Sequence, residues 1–312
     1  MKSSESQLVP FKVDQESSMD QLAVMISQDR EYRCRDYFGR RSAAKSMHTQ
    51  SPTSTQLDSV DDTPDSICRE KMAEWSYRVC DHFHTKREIV AYTFSYLDRF
   101  VDRCHCDRKA FKLAAMTALY MSTKIFNQQQ MSLGSISELS RGEFATHHIA
   151  EMESIILQTL QWKMNPPTVQ AFIRVLLPVL VQERSPRIIQ NLCNRAIFFA
   201  ELAVFDYSLI TEDRYVLAIA CILNAVESMD ETLLQQSSSA QLLLNLQSYH
   251  CLDPDMEALG HCQGRLWILY GTSAQLKEGD ILPLHIRKGL EVEYSGSSKG
   301  HSDHSPIGVG HY

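Results

Sequence analysis

Apolar residues recur along this chain at intervals of three and four. Ile67, Met72, Trp75, Val79 and Phe83 mark one face of a first long helix. Ile89, Tyr92, Tyr96, Leu97 and Phe100 mark a second, with Thr85 and Glu88 at its start in a capping-box spacing. The run AFKLAAMTALYM from Ala110 to Met121 is apolar on almost every side, so other helices must surround it. A short helix is expected around Ile136 to Leu139. Thr146 is expected to cap a last one carrying Ile149, Met152, Ile155, Ile156 and Leu160. Pro166-Pro167 then interrupts the chain.

The second half repeats this scheme. Helical patterns run from Thr168 to Val181, Pro186 to Phe205, Glu212 to Met229, Ala240 to His250 and Pro254 to Tyr270. YVLAIACILNAV, from Tyr215 to Val226, is again apolar nearly all round. No period-two alternation persists between turn signals, so no strand series is expected. The pattern predicts an all-α fold of two tandem five-helix units, at 65–162 and 163–271. A short amphipathic helix at 19–40 precedes them, with Leu22, Met25, Ile26 and Tyr32 near helical spacing. Three stretches are expected to be disordered or flexible: 1–18, the linker 41–64 and the tail 272–312. The linker is rich in Ser, Thr, Gln and Asp and has no aromatic residue, so it cannot bury enough apolar surface to offset its ordering entropy.

Composition adds limits rather than a chemistry. With 44% hydrophobic and 22% charged residues, 312 residues can build a sizeable core. No stretch of about 20 apolar residues occurs, and no membrane partner is expected. A net charge of −7 argues against a general nucleic-acid binder. Nine cysteines are scattered without paired spacing, which reads as reduced thiols in a nuclear or cytoplasmic protein.

Enzymatic signals are poor. No phosphate-binding loop, dinucleotide fingerprint or HExxH is present. A GxSxG string at Gly296 to Gly300 lacks the strand and helix that a nucleophile elbow needs. Cys104-His105-Cys106, with His82 and His84 nearby, lacks the two spaced pairs of a structural zinc site, so no metal is assigned. His147 and His148 point about 100° apart on a helix and read as unremarkable surface residues. Ser51-Pro52 and Thr63-Pro64 make Ser51 and Thr63 candidate phosphorylation sites, against the alternative of a plain spacer. Four charged residues attach to the helical core. Arg69 and Asp98, each among large apolar residues, are expected to pair, because lone buried charges are costly. Lys124 and Glu153, taken by residue type alone, read as surface charges.

CREKMAEW at Cys68–Trp75, YLDRFV at Tyr96–Val101 and a Lys ending an Ala-rich helix together resemble the cyclin box. Arg69, Asp98, Leu113, Lys124 and Glu153 match its five signature positions in type and spacing. MISQDREYRCRDYF (Met25–Phe38) is similar to the segment before the box in D-type and plant cyclins, although no LxCxE motif is present. NPPTVQAFI (Asn165–Ile173) and the Glu201–Val226 stretch resemble the second cyclin fold. The resemblance implies two tandem cyclin folds. It implies a regulatory subunit, not an enzyme, that binds a cyclin-dependent protein kinase, acts in G1 or at G1/S and needs no cofactor. The alternative is a cyclin-fold protein acting in transcription.

It also implies roles for single residues. Lys124 and Glu153, aided by Ile125 and Phe126, would contact the kinase. Arg69 and Asp98 would be scaffold, and Leu113 part of the core. Met72, Trp75 and Phe111 are the candidate docking face for kinase substrates or inhibitors. Lys71 stands there in place of an aliphatic residue and would repel a basic ligand. Asn127 stands where acidic residues often follow the Lys, which bears on which kinase is bound.

Overall fold

The computed structural model describes residues 15–41, 62–127, 131–181, 185–229, 239–247, 249 and 252–273. Ser51, most of the linker, the first fourteen residues and the tail beyond 273 lie outside these. Every regular element among the described residues is helical. Helix α1 spans Gln15–Glu31, and a separate helical turn covers 37–41. The first unit holds α2 (Ser66–His82), α3 (Ile89–Arg103), α4 (Arg108–Phe126), α5 (Leu133–Leu139) and α6 (Thr146–Thr159). The second holds α7 (Val169–Leu180), α8 (Pro186–Ala203), α9 (Arg214–Glu227), α10 (Ser239–Gln247) and α11 (Met256–Thr272).

The two helices that are apolar all round are the central ones. Helix α4 packs against α3 and α6, and α9 packs against α7, α8 and α11. Ala114, Ala115 and Ala118 on α4, and Ala218, Ala220 and Ala225 on α9, are fully buried and let neighbouring backbones approach closely. Asp65, Asp107 and Thr168 start their helices by accepting from the amides of Cys68, Ala110 and Ala171, at 2.7, 2.7 and 3.0 Å. Helix α6 ends in two left-handed residues, Gln161 and Trp162, and the Trp162 N–H donates to the Leu157 carbonyl. This reversal turns the chain towards the Pro pair before α7.

Two expected caps are corrected. The Thr85 hydroxyl donates to the Cys80 carbonyl at the end of α2, and α3 begins at Ile89 without a side-chain cap. Thr146 is the first residue of α6 rather than its cap. The His148 Nδ1 accepts from the Ala145 N–H instead, at 3.1 Å.

Helix α1 precedes the first unit in sequence but packs against α7 of the second. Leu22 is fully buried in that second core, and Asp29 pairs with Arg214. The following residues cross to the first unit, where Cys34 and Tyr37 join its core. The N-terminal arm therefore straps the two units together. Further ties cross the junction. Arg69 donates to the Val204 carbonyl at 2.6 Å, Tyr77 stacks on Phe205, and Glu88 pairs with Arg174.

Candidate interaction site

Two charge pairs organise the first unit. Arg69, on α2, and Asp98, on α3, meet in a two-pronged contact, Nε to Oδ1 and NH2 to Oδ2, each 2.8 Å. Asp98 Oδ1 also accepts from the Tyr37 hydroxyl at 2.8 Å, and the Arg69 guanidinium lies 4.8 Å from the Phe94 ring centre. Both residues are buried. Burial works against the Arg69 charge, but the Asp98 carboxylate outweighs it and holds the guanidinium protonated well above its ordinary value. With every partner supplied internally, this pair is part of the frame.

Lys124 and Glu153 form the second pair. Lys124 stands in the last turn of α4, where the helix carbonyls favour a cation. Glu153 projects from the middle of α6. Nζ lies 3.0 Å from Oε1 and 5.6 Å from the Tyr120 ring centre. The hydrogen bond to Glu153 raises the Lys124 pKa above its ordinary value, against a smaller opposing effect of burial. The Lys124 side chain remains 47% exposed. Ile125 beside it is likewise 47% exposed, a large apolar residue open to solvent over about half its surface. Charge-bearing donors and acceptors flank apolar surface here, an arrangement suited to docking another backbone.

Phe126 points elsewhere, stacking on Tyr92 of α3. Leu113 is half-buried against the first core. In the candidate docking face, Phe111 is only 1% exposed and Met72 is buried, so Trp75 alone of the three reaches the surface to any extent. Thr63 is half-buried just before α2, its carbonyl accepting from the Arg108 Nε at 3.1 Å. Among the described residues no three His, Cys, Asp or Glu side chains gather as metal ligands. Burial pushes the Cys106 thiol up to about 11, away from the thiolate a metal needs.

Tyr37, Glu88 and Arg174 carry weight that sequence reasoning did not assign. Tyr37 supplies the third contact to Asp98, and Glu88 with Arg174 bridges the units. Each depends on a partner far away in sequence, and the local pattern marked only Glu88, for a capping role.

Residues 40–165 match the family model described as the cyclin, N-terminal domain. Among curated proteins, the chain is 26% identical over 157 residues to "Cyclin-B2-2" of Arabidopsis thaliana, covering 50% of this chain and 35% of that protein. It is 25% identical over 248 residues to "G2/mitotic-specific cyclin S13-6" of Glycine max, covering 75% of this chain and 50% of that protein. The matches thus span a third to a half of those relatives' length. Among solved structures, a viral cyclin from herpesvirus saimiri superposes with a TM-score of 0.55 at 15% identity, covering 65% of this chain and 86% of that one. That likeness bears on the fold, which is a tandem of cyclin folds.

Proposed function

We propose, from the match of residues 40–165 to the cyclin N-terminal domain and the likeness to curated cyclins, that this chain is a cyclin, the regulatory subunit of a cyclin-dependent serine/threonine kinase. A protein kinase transfers phosphate only when a strand Lys pairs with a Glu on its C-helix. A partner that binds only the inward position of that helix shifts the kinase towards its active state. Moving it from 1:99 to 99:1 takes a preference on the order of 10⁴-fold. In this reading the Lys124 ammonium donates to backbone carbonyls of the kinase, and the Glu153 carboxylate accepts from its backbone N–H groups. Ile125 supplies buried apolar area. The chain carries out no bond chemistry itself; the phosphoryl transfer is the kinase's.

The observation that carries this reading is the meeting of the 47% exposed Lys124 side chain with the 17% exposed Glu153 at 3.0 Å, beside Ile125. Lys124→Glu should abolish co-purification with the kinase while circular dichroism shows the helical signal intact. Retained co-purification, or a melted helical signal, would contradict the assignment of Lys124 as a contact.

The proposal extends to control of cell division in G1 or at G1/S, on the likeness of Met25–Phe38 to D-type cyclins, and to action in the nucleus and cytoplasm. The mitotic name of the Glycine max relative favours a second phase, G2 and mitosis. The abundance of the tagged chain through a synchronised cycle separates the two, and its fluorescence places it in the cell.

A further inference from the structure

Two apolar residues follow Lys124, and they point in different directions. Ile125 faces outward. Phe126 turns back over α3 and stacks on Tyr92, with ring centres 3.8 Å apart and planes within 15°. Both rings are half-buried. Tyr92 stands one turn after Glu88 on α3, where Glu88 bridges to the second unit. Burial pushes its phenol pKa up, with Glu88 adding to this and Arg174 opposing it. Glu88 accepts from the Thr168 hydroxyl at 2.6 Å and from Arg174 at 3.1 and 2.7 Å. Thr168 also caps α7. The Tyr92–Phe126 stack ties α3 to the last turn of α4.

We infer that Tyr92 is a positioning residue for the kinase-docking surface: by stacking on Phe126 it fixes the helical turn that carries Lys124 and Ile125. The inference rests on the reading of Lys124 and Ile125 as kinase contacts. The last turn of a helix has carbonyls without intrahelical partners and tends to fray. If the turn were loose, docking would have to order it, and affinity would fall by the cost of that ordering. Phe126, expected from the sequence as a kinase contact, becomes the inner half of a lock instead. Ile125 is then the apolar residue that this turn offers outward.

The test uses the full chain and the purified kinase that co-purifies with it, and measures the dissociation constant for Tyr92→Ala, Tyr92→Leu, Tyr92→Phe, Phe126→Ala, the double variant Tyr92→Ala/Phe126→Ala, and Lys124→Glu. Tyr92→Phe keeps the stack and should bind as the unaltered chain does. Tyr92→Ala, Tyr92→Leu and Phe126→Ala should each weaken binding by about 3- to 10-fold, the factor expected for ordering one turn. Their melting temperatures should stay close to that of the unaltered chain. The double variant should bind no more weakly than either single one, because both remove the same lock. If Tyr92→Ala does not fold, Tyr92→Leu, which keeps the bulk, carries the same comparison. Unchanged affinity in Tyr92→Leu would overturn the inference. So would additive losses, which would make Phe126 a direct contact, or a Tyr92→Phe as weak as Tyr92→Ala. Lys124→Glu separates the layers. Its tight binding would remove the underlying reading, whereas its loss beside an unaffected Tyr92→Leu would remove only the role of Tyr92.

Discussion

The two signature ion pairs of the first unit span the same sequence distance, 29 residues each, and do opposite work. Arg69–Asp98 is buried, two-pronged and completed by Tyr37 and the Val204 carbonyl. Lys124–Glu153 is a single contact on the surface. The first pair is buried and closed to a partner. The second keeps the Lys124 ammonium open to solvent, with Glu153 17% exposed. A pair open to water on its lysine side adds little to stability, roughly 0–1 kcal/mol, whereas breaking a buried pair leaves an uncompensated charge. Burial, not residue type, separates the pair enclosed in the frame from the pair within reach of solvent.

The largest effect should come from breaking the buried pair. Asp98→Ala strands the Arg69 charge and removes the acceptor of the Tyr37 hydroxyl, and should cost about 3–5 kcal/mol. Denaturant unfolding measures it, and an unchanged midpoint would dissolve the contrast. Lys124→Met sharpens the same comparison, since it should leave stability within about 1 kcal/mol of the unaltered chain.

A pH series tests the bridge between the units. The partners of Glu88, Arg174 and Thr168, overcome its burial and lower its pKa below 4.5. Asp206, despite its burial, is lowered below 3.8 by Arg265 and Ser208. A carboxylate depressed in the folded state adds stability that is present above its unfolded value and is lost as pH falls through its folded value. Stability should therefore fall as pH drops below about 4.5, the ordinary value for Glu88. Glu88→Gln should make that fall shallower. A slope unaltered in Glu88→Gln would mean that the bridge does not stabilise the fold.

The smallest effect belongs to Thr85. A capping role would give Thr85→Ala a cost of about 1 kcal/mol. Its observed bond to the Cys80 carbonyl predicts less, within about 0.5 kcal/mol. Thermal melting of the two chains side by side would resolve this.

What could be read from the sequence followed the range of the forces involved. Helices α4 and α9 declared themselves because an all-round apolar helix has only one stable setting, surrounded by others. The Arg69–Asp98 pairing was legible from the cost of burying either charge alone. The cap at Thr85 misled because a threonine hydroxyl can bond either the next helix or the one before it, and here the preceding carbonyl was nearer. The side taken by α1 could not be read, since its packing partner is α7 of the second unit and the partner of Asp29, Arg214, lies 185 residues away. Phe126 looked like docking surface beside Ile125. Its stacking on Tyr92, a contact between two helices, has no local signal in the sequence.

The most direct test of the central claim is the phosphoryl-transfer rate of the purified kinase as this chain is titrated in. The unaltered chain should raise the rate to a plateau, and Lys124→Glu, folded by circular dichroism, should leave it at the basal level. Equal activation by both chains would contradict the account.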